Sequence, residues 1–294
     1  MKIGILSLMK SNKNVYEQKR LLKEIRALGH TAKLFKINEF QAIYAGDYSR
    51  LMYGGKPFPK FDIIIVKGSS SADMAIKISV LPELEMMGIP VINKFGPIIK
   101  AKDKVKTGQI LNYYKIPIPK TVIIRREADL TKSVKILGGF PIIMKTPYGS
   151  FGKGVVIVES MRALKSILLW NEPLYILQEY VKYAKGSDIR VIVIDGKVVA
   201  AMKRKAKKGE FRSNIHLGGK GVPIKITDEE AQIAIRATQA LNLNFSGVDI
   251  MRSINGPVVI EVNANPGFKG LEEATGQNIA KEFVLFAERY ANGV

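Results

Sequence analysis

Along the first third of the chain, apolar positions alternate between runs with the period of a strand and runs with the period of a helix. KIGILSL (2–8) reads as a strand, and VYEQKRLLKEIRALGH (15–30) has helical spacing and stops at Gly29. TAKLFKI (31–37) and FDIIIVKG (61–68) read as further strands. ADMAIKISVLPELEMMG (72–88) is a helix, either continuous or interrupted at Pro82, and IPVINK (89–94) is a short strand. Strands and helices in alternation predict a small parallel-sheet α/β domain over 1–97.

After this point the pattern changes. KDKVKTGQILNYYKI (102–116) predicts a helix that opens a new unit, followed by a strand at 118–124 and a helix at 128–139 with a glycine stop. The strand FPIIMKT (140–146) runs into PYGSFGKGVVIV (147–158), and a helix at 160–171 and the strand YILQEYV (175–181) follow. DIRVIVIDGKVVAAMKRKA (188–206) is a hairpin, with Asp195-Gly196 as a type I′ turn between alternating apolar runs. A helix at 227–243 leads to the strand pair GVDIMRS and PVVIEVN, joined by Ile254-Asn255-Gly256. Hairpins in place of βαβ units predict α+β architecture, divided into a central lobe at 98–181 and a C-terminal lobe at 182–294. No repeat and no low-complexity linker interrupts it.

Composition narrows the class. The 294 residues are 47% hydrophobic and 24% charged, as in an ordinary soluble protein, and no apolar run approaches the ~20 residues of a membrane span. The N-terminal apolar run is followed at once by Lys and Asn, so it reads as a strand and not as a signal peptide. With no cysteine there is neither a disulfide framework nor thiolate chemistry, and the cytoplasm is the expected compartment. The charge is unusual, with 46 Lys+Arg against 26 Asp+Glu giving +20. Such a balance suits anionic partners, or a Lys-rich solvated surface. Lys203, Arg204, Lys205, Lys207, Lys208, Arg212, Lys220 and Lys225 cluster around a single acid, Glu210.

Four stretches carry candidate chemistry. Gly149, Ser150, Gly152 and Gly154 lie between two strands, where backbone N–H groups can approach phosphate oxygens; a flexible hairpin is the plainer alternative. Lys145 ends the preceding strand, within reach of phosphates held under the glycines. Gln178, Glu179, Tyr180 and Val181 have the alternation of an ordinary strand, whose edge could also meet an adenine. Glu261 and Asn263 lie two residues apart on a buried-looking strand, with Ile260 and Val262 at the alternate, core-facing positions. Asp249 on the neighbouring strand can join them, and hard oxygen donors without Cys or His suit Mg²⁺ or Mn²⁺. Exposed hairpin carboxylates are the alternative, at odds with the apolar strand around them. In MKRKAKKGEFRSNIHLGG, Arg204 and Arg212 could grip phosphate or carboxylate bidentately, with Asn214 and His216 nearby for a polar substrate. A solvated loop is the plain reading there.

In order, Lys145, the glycine-rich loop, QEY, GSDIR, KRKAKKGEFRSNIHLGG, GVDI and EVNANPG resemble the RimK-type carboxylate–amine ligases of the ATP-grasp superfamily, over nearly the whole chain. The resemblance implies an N-terminal α/β domain and two lobes clamping ATP. It implies Lys104 and Lys145 on the phosphates, with Gly149, Ser150, Gly152 and Gly154 closing over them. Gln178, Glu179, Tyr180 and Val181 would meet the adenine, and Asp188 the ribose. Arg204 and Arg212 would neutralise the transferring phosphate, and Asp249, Glu261 and Asn263 would hold two Mg²⁺ or Mn²⁺ ions. Asn214, also on the nucleotide side, would meet substrate with His216, Asn265 and Gly267. The implied reaction joins L-glutamate to a glutamate-terminated acceptor through an acyl phosphate. Acceptors in the family include a small-subunit ribosomal protein, growing poly-α-glutamate, and the glutamyl tails of tetrahydromethanopterin and deazaflavin coenzymes; more distant members attach other amino acids such as lysine. NPGFKGLEEATG stands where the ribosomal-protein enzymes carry an SPGLEG-type run, and its NPGFKG-like form is shared with relatives of other substrate class. The family further implies a homotetramer. A non-catalytic RNA- or ribosome-binding protein is the rival reading, and the presence of Lys145 and all three oxygen donors argues against it.

Overall fold

The computed structural model describes residues 1–8, 16–45, 48–67, 74–125, 129–149, 154–170, 174–184, 186–207, 210, 213 and 218–293. The N-terminal part builds β1 (Lys2–Ser7), α1 (Tyr16–Ala27) and β2 (Thr31–Lys36), then β3 (Phe40–Ala45), β4 (Tyr48–Tyr53) and β5 (Lys56–Pro57). It continues with β6 (Ile63–Lys67), α2 (Met74–Met86), β7 (Val91–Ile92) and α3 (Phe95–Lys102). Strands β2-β1-β6-β7 form one parallel sheet, as the alternating pattern predicts. Helix α2 passes through Pro82 without a break. Strands β3-β4-β5 depart from expectation, making a separate antiparallel sheet in a stretch with no expected element. Its packing comes from aromatic contacts, with Phe40, Tyr53 and Phe58 around Phe35 of β2.

The central part holds α4 (Lys104–Tyr113), β8 (Thr121–Ile124), α5 (Leu130–Ile136), β9 (Ile142–Lys145), β10 (Val155–Val158), α6 (Met161–Ile167) and β11 (Tyr175–Glu179). Its strands pair antiparallel in the order β10-β9-β11-β8. The helix expected over 102–116 is α4, trimmed at both ends, and the Asp103 side chain caps its start by accepting from Val105 N and Lys106 N; α3, just before it, is a helix the pattern does not predict. β11 ends at Glu179, two residues short of the expected strand.

The C-terminal part comprises β12 (Ser187–Ile194), β13 (Lys197–Lys205), β14 (Lys220–Pro223), α7 (Asp228–Ala240), β15 (Phe245–Ser253), β16 (Gly256–Asn263), α8 (Lys269–Thr275) and α9 (Ile279–Ala291). Five strands lie antiparallel in the order β14-β13-β12-β15-β16. Asp195 and Gly196 both take positive φ, 53° and 67°, as the type I′ turn requires. Thr227 and Glu230 form a capping box at the start of α7.

The cores are distributed unevenly. Two apolar clusters each join the N-terminal sheet to the C-terminal one, the first through Leu6, Val66, Val191 and Val248, the second through Ile3, Ile65, Phe245 and Phe283. The central sheet has a core of its own, built on Ile124, Ile142, Leu164 and Leu177. Asn93 reinforces the union of the N-terminal and C-terminal sheets: its Nδ2 donates to the carbonyls of Phe245 and Ala264 (2.8 Å each), and its Oδ1 accepts from Asn244 N and Phe245 N.

Candidate active site

A cleft separates the central sheet from the C-terminal one, with apolar and charged side chains on both walls. One wall is Ile143, Lys145, Gly149, Val155 and Gln178 to Val181; the other is Asp188, Arg204, Ser213, Asp249, Met251, Ile260 and Glu261. Lys104 reaches in from the first turn of α4.

The floor follows from strand alternation. On β9, Lys145 sits opposite Ile176 of β11 and Val155 of β10, and its Nζ donates to Gln178 Oε1 at 2.6 Å. Burial pushes this ammonium down to about 8, with Lys104 adding to the effect and Glu261 and Asp249 opposing it. Gln178 is fixed in turn, donating from Nε2 to Thr121 Oγ1 at 2.9 Å. Lys104 Nζ donates to the Gly149 carbonyl (2.9 Å) and stands 3.8 Å from Glu261 Oε1. Two cations and one carboxylate thereby converge from three separate elements.

The start of the glycine-rich loop is tied to this floor. Thr146 N donates to the Gly154 carbonyl (3.0 Å), and Thr146 Oγ1 donates to the Tyr148 carbonyl (2.8 Å). Gly154 has φ +75°, and a Cβ there would lie 2.3 Å from Thr146 Oγ1, so only glycine fits. Ser150 and Gly152 fall outside the described residues, as do Arg212, Asn214 and His216.

The opposite wall holds a buried ladder of charge. Arg204 on β13 grips Asp188 on β12 with Nε and Nη2, both at 2.6 Å, and its Nη2 also reaches Asp249 Oδ2 at 2.8 Å. Arg190 on β12 binds Asp249 from the other side through Nε and Nη2. Ser213 Oγ donates to Asp188 Oδ2. The ladder runs Ser213–Asp188–Arg204–Asp249–Arg190, two carboxylates against two guanidiniums. Burial alone would raise the Asp249 carboxyl, but Arg190 and Arg204 outweigh it and hold it below the usual carboxylate range. Burial also works against the charge on Arg204, yet Asp249 and Asp188 hold it more firmly protonated than an ordinary arginine.

Several expected roles meet this geometry differently. Asp188 gives both oxygens to Arg204, where the resemblance implies a ribose contact. Glu179 Oε1 accepts from Lys120 N at 2.9 Å and so anchors the approach to β8. Tyr180 and Val181 lie beyond the strand, in a turn whose carbonyls accept from Lys182 N and Ala184 N. Asp249 and Glu261 are direct register partners, as the opposing strands predict, and Asn263 faces Gly247 across the sheet, outside the cleft lining. Ile260 is a correction. The register shifts between Asp249 and Ile250, and this bulge turns Ile260 into the cleft beside Glu261, while Val259 and Val262 take the core positions. Asn265 is half-buried and Gly267 exposed, on the loop that leaves β16.

The donor chemistry suits a hard divalent ion: the cleft-lining described residues offer carboxylate oxygens and neither imidazole nor thiolate. Glu261 is the open donor, its side chain 34% exposed against 2% for Asp249. Asp249 already gives three contacts to the two arginines, so an ion would share this carboxylate with them.

Arg190, which holds the cleft-lining Asp249 from outside the lining, has no role in the sequence reading. Its signal was present, since it lies two positions after Asp188 on an otherwise apolar strand and period two puts both on one face. No described helix is long and apolar enough to cross a membrane.

Comparison with known proteins places this geometry. The model of the RimK-like ATP-grasp domain matches residues 101–286, and that of the RimK PreATP-grasp domain matches 1–98. The chain is 37% identical over 295 residues to a probable alpha-L-glutamate ligase of Pseudoalteromonas translucida, covering 99% of this chain and 97% of the relative. Its fold is similar to a RimK domain ATP-grasp protein of Sphaerobacter thermophilus, with TM-score 0.73, 20% identity, and 98% and 99% of the two chains covered. It is similar also to the ATP-grasp ligase PsnB complexed with minimal precursor, Mg and ADP, with TM-score 0.74, 19% identity, and 99% and 98% covered. With both domain models matched in sequence order and the fold shared end to end, the chain belongs to the RimK-type ATP-grasp ligase family.

Proposed function

We propose that this protein is an ATP-dependent L-glutamate ligase that joins the amine of glutamate to the terminal carboxylate of an acidic, glutamate-terminated acceptor. The observation that carries the reading is the meeting of Lys104, Lys145 and Glu261 in one cleft, on a chain whose curated relatives are named probable alpha-L-glutamate ligases. A carboxylate is a poor electrophile because its leaving group would be oxide. Transfer of the γ-phosphoryl group of ATP to the acceptor carboxylate gives an acyl phosphate, and the incoming amine then displaces phosphate to form the amide.

In this reading Lys104 and Lys145 hold the phosphates from one side, and the loop beginning at Gly149 covers them against water. Gln178 orients Lys145. The apolar slot of Ile143, Val155, Met251 and Ile260 takes the base. Glu261 and Asp249, which line the cleft, would hold Mg²⁺, with Asn263 two residues on from Glu261 as the further donor the resemblance implies, and the ion when bound would draw charge from the transferring phosphoryl group. Arg204 and Arg190 keep Asp249 ionised, and Arg204, which lines the cleft, can also stabilise negative charge there. The +20 net charge supports a polyanionic acceptor. ADP release measured across the amino acids with a glutamate-tailed peptide tests the proposal. Release that needs both glutamate and the peptide supports it; release with another amino acid in place of glutamate, or AMP as product, refutes it.

A further inference from the structure

The chain leaving β16 is held by side chains of the N-terminal part at every second residue. Asn93 Nδ2 donates to the Ala264 carbonyl at 2.8 Å. Lys67 Nζ donates to the Pro266 carbonyl at 2.8 Å. Glu17 Oε1 accepts from Phe268 N at 3.1 Å and from Lys269 N at 3.4 Å. Burial follows the same alternation, with Ala264, Pro266 and Phe268 buried and Asn263, Asn265 and Gly267 more open. The three anchors come from the end of β6, the residue after β7 and the first turn of α1.

Lys67 is the unusual member. It is 1% exposed, and its ammonium lies 5.2–5.4 Å from the ring centres of Phe245, Phe268 and Phe283. A lysine is almost never buried this completely without a partner. Its aromatic surroundings replace water around the cation, but an apolar side chain would fill the same space without desolvating a charge. What the ammonium adds is a directional hold on Pro266, a residue with no N–H of its own. On the neighbouring β15, Gly247 leaves room for the same proline, since a Cβ there would fall 2.6 Å from Pro266 Cβ.

Resting on the ligase reading above, we propose that Lys67, with Asn93 and Glu17, is a positioning residue that fixes residues 264–269 in register for binding the carboxylate-bearing acceptor. The strap begins one residue after Asn263 and contains Asn265 and Gly267, and neither it nor its three anchors lines the cleft between the sheets, so the N-terminal part holds this segment from behind. Lys67 then governs acceptor binding and not ATP binding.

Lys67→Met and Glu17→Ala test this, the second variant standing in should the first fail to fold. Hydrogen exchange of the full-length protein should accelerate by about tenfold in residues 264–272 of both variants, with strand β16 unchanged. Steady-state kinetics with a glutamate-tailed peptide should show KM for the peptide raised by about tenfold and KM for ATP unchanged. Unchanged exchange in 264–272, or KM for ATP rising in step with that for the peptide, overturns the proposal. Absence of peptide-dependent ADP release by the wild-type protein refutes the ligase reading and the acceptor role with it, while exchange still decides whether Lys67 holds the strap.

Discussion

Replacing Arg204 by Met removes the middle of the charge ladder and nothing else of similar size. Arg204 supplies two bonds at 2.6 Å to Asp188 and one at 2.8 Å to Asp249. Asp249 would keep Arg190; Asp188, 4% exposed, would keep only the Ser213 hydroxyl among the partners described here. A buried carboxylate stripped of its cation costs about 3–5 kcal/mol, far above the ~0–1 kcal/mol of a surface pair. The pH dependence separates this cause from lost packing. Asp188 is already pushed up by burial, against Arg204, and without the guanidinium its folded-state carboxyl rises further above its unfolded value. A raised carboxyl contributes stability at low pH that is lost as pH rises through the folded value. The deficit of the variant should therefore be largest near pH 7 and shrink towards pH 5. Urea unfolding followed by circular dichroism at both pH values measures it, and adding Asp188→Asn should recover part of the loss. A deficit below about 1 kcal/mol at pH 7, or one equal at both pH values, would refute the assignment of these two strands as an electrostatic unit.

Other consequences follow from the cleft. Lys145 is held down to about 8, so the charged form that meets phosphates is lost as pH rises through that value. Initial rates should show kcat/KM for ATP falling above about pH 8, and Lys145→Gln should lower it by about a hundredfold and remove this limb. Because the unfolded lysine keeps its proton to about 10.4, the same shift predicts stability rising between the two values, which unfolding titrations can follow. Glu261→Gln should weaken Mg²⁺ binding in the presence of a non-hydrolysable ATP analogue by about tenfold, read by calorimetry, with the melting temperature of the metal-free protein unchanged. Gly247→Ala should cost about 1–3 kcal/mol by driving a methyl into Pro266, and a neutral effect on thermal unfolding would show that the loop yields freely.

Periodicity revealed much of this architecture because most elements bury one face. The parallel N-terminal layer, the 188–206 hairpin and the opposition of Asp249 to Glu261 all follow from period two and turn residues. What it missed has specific causes. The sheet β3-β4-β5 rests on aromatic contacts made around Phe35, which no local pattern reports. The bulge at Ile260 breaks the alternation by one residue, and nothing in VVIEVN announces it. Lys67, Asn93 and Glu17 lie about 170 to 250 positions from the backbone they hold, and each looks like an ordinary polar residue beside a strand or at a helix start. The opposed acids Asp249 and Glu261 were legible as chemistry, and Arg204 as a grip for an anion; the pairing of Arg190 and Arg204 with Asp249 was not, since they reach it only once three strands are side by side.

The most direct test of the chemistry follows oxygen. A glutamate-tailed peptide carrying ¹⁸O in its terminal carboxylate is incubated with ATP, Mg²⁺ and glutamate, and the released phosphate is analysed by mass spectrometry. Transfer through an acyl phosphate delivers one labelled oxygen to the phosphate, with ADP as the other product. Phosphate free of label, or label recovered in AMP, contradicts the account.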